Sequence, residues 1–253
     1  MKKTYLVLSF TLFSLIIFSQ NISGKISYRA TMINLDSTKV KQNTPQQKKV
    51  YNEVMATIKA VKKLKLELFF TNNESNFIVE DLLVADNEND FLYTMAKNIA
   101  NVRNEVYYSK SENKLIEKND GFGELFIVSK KVTIDDWKLT TNTKKIGEYK
   151  CYKATRVYKF SNRHGELVSK NQEVWYTPQI PVPYGPKDFV GFPGLVLQVT
   201  SGKIQFTAIK IVLNPKEEIE IRKPVGGVKV TEEEYKEIKT KSIENTKSIY
   251  GIK

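Results

Sequence analysis

A chain of 253 residues that is 41% hydrophobic can bury a sizeable core, and its 13 Tyr and 13 Phe suit strands better than helices. Its 40 Lys+Arg against 28 Asp+Glu give a formal charge of +12. The excess is spread along the chain, which fits Lys-bearing strand faces and edges and also attraction to anionic lipopolysaccharide or acidic glycan. One Cys and one His exclude an intrachain disulfide and the usual zinc or redox ligand sets within one chain. No nucleic-acid module is visible.

Met1, Lys2 and Lys3 form a short positive n-region, and Tyr5–Phe18 an uncharged apolar h-region. Ser19 is small enough to precede a cut before Gln20. This predicts an export signal over 1–19, too short for a spanning helix, followed by a single domain over 20–253. No later segment could span a bilayer as a helix. The expected location is the periplasm, the outer membrane's surface or the medium.

In 24–32, Ile26, Tyr28, Ala30 and Met32 share one face at period two, as a half-buried strand requires. Thr44 as N-cap, Pro45 at N1 and Gln47 at N3 open a helix over 45–62, with Val50, Val54, Ile58 and Val61 as its apolar stripe. Leu64, Leu66, Leu68 and Phe70 then alternate as a strand, Asn72-Asn73-Glu74 turns, and Phe77–Val79 returns. Residues 86–104 read as a long polar loop.

Strands are expected at Glu105–Ser109, Lys114–Glu117, Glu124–Val128, Lys144–Ile146, Tyr149–Phe160, Glu166–Tyr176, Leu195–Thr200, Lys203–Val212 and Glu217–Ile221. Asn119-Asp120-Gly121, Asn162–Gly165 and Ser201-Gly202 supply turns. Thr231 caps a last helix and Glu234 completes its capping box. The short connections predict an α+β, mainly β fold. One large curved antiparallel sheet carries the 45–62 helix, a Pro/Gly-rich capping loop and a C-terminal surface helix.

The candidates for chemistry are weak. His164, beside Gly165 at a turn tip, lacks the cleft and orienting neighbour a catalytic imidazole needs. Asp86, Glu88 and Asp90 have the spacing of a calcium loop's first ligands, but Phe91 replaces the required Gly and Lys97 the bidentate Glu. Asp135-Asp136 fits turn chemistry better than a carboxylate pair flanking a glycosidic bond. Cys151 reads as a small buried hydrophobe, with Lys150 and Lys153 leaving a reactive thiol open. No catalytic, cofactor-binding or metal residue is assigned, and no cofactor is expected.

The stretch from Trp175 to Val199 differs from an ordinary loop. Pro178, Pro181, Pro183, Pro186 and Pro193 keep its backbone out of a sheet ladder, and Gly185, Gly191 and Gly194 permit turns closed to other residues. Phe189, Val190, Phe192 and Leu195 nevertheless call for burial. A loop folded over the open face of a curved sheet meets both demands. It can be a crossover that plugs the core, or a surface for a ligand or partner.

WYTPQIPVPYGP followed by GFPGLVLQV resembles the signature of the GLPGLI family, secreted β-rich proteins of Gram-negative bacteria. Trp175-Tyr176-Thr177 matches its strand end, and Pro181, Pro183, Gly185 and Pro186 its loop. Gly191-Phe192-Pro193-Gly194-Leu195-Val196 matches the namesake, with Phe for Leu and Val for Ile. Trp137, the run TKKIGEYKCYKATRVY, LELFFTNNESNFI and Phe122-Gly123 extend the resemblance from Gly24 to about Val212. It implies export and a β-rich fold, and brings no catalytic residue.

The reading favoured by sequence is a non-enzymatic envelope protein that binds a protein partner or apolar ligand on the sheet's concave face and the 178–194 loop. A structural or secretion-associated surface component, or an enzyme of unrecognised type, is the alternative.

Overall fold

The computed structural model describes residues 22–34, 43–80, 87–102, 105–162 and 165–250. The expected export signal, Asp86 and His164 lie outside the described residues. In chain order the elements are β1 (Gly24–Met32), α1 (Pro45–Lys63), β2 (Leu66–Phe70), β3 (Glu74–Val79), α2 (Asn87–Ala100), β4 (Glu105–Ser109), β5 (Lys114–Gly121) and β6 (Glu124–Lys131). There follow β7 (Lys138–Ile146), β8 (Tyr149–Ser161), β9 (Leu167–Thr177), β10 (Leu195–Ser201), β11 (Ile204–Leu213), β12 (Val228–Thr231) and α3 (Glu232–Tyr250). Among the described residues no helix is long and apolar enough to cross a membrane.

All the strands join one sheet, in the order β12-β6-β5-β4-β3-β2-β1-β11-β10-β9-β8-β7. Every pairing is antiparallel except that of β12 with β6. Strand β1 is the hinge between two meanders, pairing β2 on one side and β11 on the other.

The chain's own length forces the sheet to bend. Between β6 and β7 lie ten strand spacings, roughly 48 Å across a flat sheet. The link over 132–137 can bridge only about 25 Å when fully extended. The two ends of the sheet must therefore curl toward one another. Register shifts at Ser27/Tyr28, Leu139/Thr143 and Val196/Gln198 supply the bulges that bend and twist strands.

The concave side holds the core. Ile26, Tyr28 and Ala30 project from β1, and Leu66, Leu68 and Phe70 from β2, all at most 2% exposed. Ile26 lies opposite Leu68, and Tyr28 opposite Leu66, so the alternation read from sequence is the alternation buried. A smaller cluster of Tyr107, Ile116 and Ile127, with Ile221 against it, covers the other face.

Four local expectations need correction. Residues 87–100 form helix α2 rather than a loop: Tyr93, Ala96 and Ala100 are buried at helical spacing, and Tyr93 donates to the Glu80 carbonyl at 2.6 Å. Residues 217–221 form no strand; the added strand is β12, recruited in parallel to β6. The β5–β6 turn is Phe122-Gly123, with both φ values positive (57° and 82°), because pairing continues through Asn119-Asp120-Gly121. In α1 the Thr44/Gln47 capping box forms as expected, but only Thr57 and Val61 are buried, and Val50 and Val54 stay exposed. Its buried residues lie in its C-terminal half, and the helix packs on β1 and α2.

The Tyr28 hydroxyl, fully inside the core, donates to the Val196 carbonyl at 2.6 Å and ties β1 to β10. Tyr28→Phe should cost about 1–2 kcal/mol by urea denaturation, because the carbonyl loses its partner where water cannot replace it. Wild-type stability would mean that the bond contributes nothing net.

Candidate functional site: the 178–194 loop and the cleft beside it

The loop leaves β9 at Thr177 and enters β10 at Leu195 without joining the ladder. Its backbone pairs with itself and with the start of β10. Leu195 N–H donates to Ile180 O, Val196 N–H to Tyr184 O and Gly191 N–H to Pro183 O, all at 2.8–2.9 Å. Gly194 sits at φ 146°, where a Cβ would lie 2.1 Å from the Thr177 carbonyl; a Cβ on Gly185 would meet the Phe189 carbonyl at 2.3 Å. Only glycine admits these approaches.

The loop's apolar side chains turn inward. Ile180, Val182, Tyr184, Phe189, Val190 and Phe192 are at most 3% exposed. Phe192 packs edge-on to Trp137 at 5.1 Å and stacks near Tyr176 at 5.8 Å, while Phe189 meets Trp137 at 6.2 Å. Tyr184 reaches the other half of the sheet, against Phe70 (5.5 Å) and Tyr108 (6.0 Å), and donates to the Asn72 carbonyl at 3.1 Å. The loop thus fills the concave face with its own rings.

The structure gathers Tyr176, Gly185, Pro186, Phe189, Phe192, Gly194 and Leu195 in this buried set. Pro181 and Pro193 are exposed, and Pro183 and Gly191 half-buried. Trp175 is buried too, its side chain leaving the strand on the side opposite that of Tyr176. It lies under Lys144 (4.1 Å) and Lys153 (5.5 Å) and donates its indole N–H to Glu173 at 2.6 Å. Cys151 is buried, and burial pushes its thiol up to about 11, so it behaves as a packing residue. Asp136 accepts from Arg156 at 2.8 Å and Asp135 N–H donates to Thr133 Oγ1 at 3.2 Å, which is turn and anchor chemistry.

Beside the loop lies a cleft of about 950 Å³, bounded by β8–β9, the end of β6 and α3. One wall alternates rings and cations. The Arg156 guanidinium lies 4.5 Å from the Trp137 ring and 5.1 Å from Tyr158. The Lys170 ammonium lies 5.5 Å from Tyr158 and 5.3 Å from Phe160, whose rings are 16° from parallel and 5.7 Å apart. Seven Lys or Arg against three acids line the cleft.

An ion cluster closes its inner end. The Lys130 ammonium approaches Asp188 at 3.5 Å and both Glu117 and Glu232 at 3.8 Å, joining the loop, β5 and α3 to β6. Burial opposes the charge on Lys130, but the three carboxylates outweigh it and raise its pKa well above the usual range. Burial raises the Glu117 carboxyl, against the pull of Lys130. Burial would raise Asp188 too, but Lys130, Lys187 and Arg156 prevail and hold it low. Burial lowers the Lys170 and Lys187 ammonium groups, and the positive charge of Lys187 lowers Lys170 further.

The cleft was missed in sequence because its walls come from separated segments. The one local signal was Arg156, Tyr158 and Phe160, which share a strand face at period two.

Two stretches, 137–174 and 162–198, match the family described as "Protein of unknown function (Porph_ging)". Together they cover Trp137, the cleft wall and the whole loop. The likeness to GLPGLI proteins remains a resemblance of sequence blocks between Gly24 and about Val212. No curated protein matches the chain in sequence. Among solved structures the chain is similar to PNGF-II in a C2 crystal form (TM-score 0.50, 16% identity, 88% of this chain and 33% of that one). A P21 form gives a TM-score of 0.49, with 17% identity over 87% and 33% of the two chains. The likeness is one of fold, and this chain spans about a third of PNGF-II.

Phe192→Ala should lower stability by about 3 kcal/mol, read from the denaturation midpoint, since it empties a packed ring site. A near-wild-type midpoint would show that the site collapses or was never tightly filled. The low folded pKa of Asp188 means that its contribution is present above the unfolded carboxyl pKa and is lost as pH falls through the folded one. Asp188→Asn should therefore lower the melting temperature at pH 7 and flatten its fall below about pH 4. Parallel melting curves for variant and wild type down to pH 3 would refute that assignment.

Proposed function

We propose that this chain is an exported envelope protein that binds an anionic ligand in the cleft beside the 178–194 loop, without transforming it. The observation that carries the reading is the wall of Trp137, Arg156, Tyr158, Lys170 and Phe160, which offers ring faces and cations together in a space of ligand size. The predicted signal over 1–19 supports export. The loop's own rings occupy the concave face, so the expected apolar ligand has less room there, and the charged cleft is the better receptacle.

One observation favours a second reading, an enzyme of unrecognised type. Glu117 and Asp188 are carboxyls driven in opposite directions, as an acid and a base would be. Both, however, are held by Lys130, which also takes Glu232, and a shared clamp of that kind ties segments together.

The chain has two Trp, so a Trp175→Phe background leaves Trp137 as the fluorescence reporter in the cleft. Titration with galacturonate oligomers, sulfate esters and phosphate esters should give a saturable change with at least one class, weakened by salt. Arg156→Gln should weaken it about ten-fold, the loss expected of a charge-assisted contact. No saturable change with any anion at low ionic strength would overturn the reading.

A further inference from the structure

The large cleft lies between two walls that the fold sets side by side. Strand β7 stops pairing with β8 at Thr155, and β10 stops pairing with β9 at Gln172. Beyond those points β8 and β9 continue as a two-stranded ribbon, Val157–Ser161 against Leu167–Asn171. Tyr158 lies opposite Lys170 and Phe160 opposite Val168, so these four share one face, and all are half-buried. Helix α3 supplies the other wall. Its first turn is seated on β6, where Tyr235 packs edge-on to Phe126 at 5.3 Å and Glu232 approaches Lys130 at 3.8 Å. Beyond that turn Lys236, Lys239, Thr240 and Ile243 recur at helical spacing along the cleft. The contacts that seat the helix go to β12 and β6, and the ribbon faces it across the opening.

Both walls are long and both are basic. Arg156 to Ser161 spans roughly 17 Å of strand, and Glu232 to Ile243 roughly 17 Å of helix. Arg156 and Lys170 stand on the ribbon side, Lys236 and Lys239 on the helix. Asp136 holds Arg156 at 2.8 Å and Glu232 holds Lys236 at 3.5 Å, yet the whole lining still counts seven cations to three acids. Facing rows of one charge gain from an anion between them. A ribbon of two strands is marginal alone, and its half-exposed rings gain from being covered. One carboxylate reaches few of these groups, whereas a chain that repeats its charge can follow them. A run of sugar acids meets both demands, since each unit brings a carboxylate for a cation and an apolar C–H face for a ring.

Resting on the binding reading above, we propose that the ligand is an acidic oligosaccharide of several uronate units, lying lengthwise between the ribbon and α3, with Lys236 and Lys239 as its contacts on the helix side. The ring wall takes the sugar faces and the cations of both walls take the carboxylates. An acidic peptide repeats the charge without the apolar sugar face, and a single sugar acid has the face without the repeat.

The test is calorimetric titration of the full mature chain with galacturonate, tetragalacturonate and tetraglutamate. Tetragalacturonate should bind at least about ten-fold tighter than galacturonate, the factor expected from one further charge-assisted contact. It should exceed tetraglutamate by a similar factor, from apolar area buried on the rings. Lys239 is exposed, so Lys239→Gln leaves the fold intact; it should weaken tetragalacturonate about three-fold, as loss of an exposed ion pair would. Lys241→Gln, on the same helix but off the cleft, should leave that affinity unchanged. Equal affinity for galacturonate and tetragalacturonate, equal affinity for tetragalacturonate and tetraglutamate, or the same effect from Lys239→Gln and Lys241→Gln each overturns the proposal. Binding of a monosaccharide or ester that still responds to Arg156→Gln would leave the broader binding reading standing. No saturable binding of any anion would remove both.

Discussion

Tyr184 packed on Phe70 and Tyr108, and Phe192 packed on Trp137 and Tyr176, hold the two halves of the sheet across its hollow. A curved open sheet of this breadth leaves a concave face that must be covered by something apolar. Here one loop covers it from within the same chain. The short link from β6 to β7 brings the sheet's ends together, and the loop's rings fill the space this creates. Neither device suffices alone: the link sets an upper limit on the span, and the rings set the separation. The bulges in β1 and β10 supply the local bend that both require.

The charged cleft is a consequence of that packing. Once Phe189 and Phe192 are fixed inside, the residues before them, Lys187 and Asp188, are held half-buried beside the cleft. Asp188 finds Lys130, and through it β5 and α3 join the loop. Partly buried ion pairs of this kind recover little net stability, because desolvation opposes them. Their effect is to fix the relative placement of four separate segments. Lys187 adds its charge to the hold on Asp188, while Lys170 rests on the Tyr158 and Phe160 rings.

Much of the sheet was legible because its signals are local. The face formed by Ile26, Tyr28, Ala30 and Met32, the Thr44/Gln47 box and the alternation of β2 depend on neighbours a few residues away. The missed elements depend on distant partners. Helix α2 hides its buried face in small residues: Ala96 and Ala100 carry almost no hydrophobic signal, yet they are what lets a helix approach closely. Strand β12 is four residues long and exists because β6 offers a free edge. Residues 217–221 alternate like a strand but find no edge, and Ile221 instead covers the small cluster on the outer face. The loop's burial could be read from the conflict between its prolines and its rings. The cleft could not, since six segments of the chain build it and no spacing in sequence records where they meet.

The loop's structural role is compatible with the proposed binding. An exposed flexible loop bearing Lys187 would spend conformational entropy on every ligand it held. A loop whose Ile180, Tyr184, Phe189 and Phe192 are already immobilised has met that cost on folding. The same packing partly desolvates the Lys187 ammonium, which lies next to Asp188 in the chain. Packing such as this, with Gly185 and Gly194 admitting backbone contacts no other residue allows, keeps one lysine in a strained and poorly hydrated position. The rings at the loop's base are therefore what fixes the position of the charges at its tip.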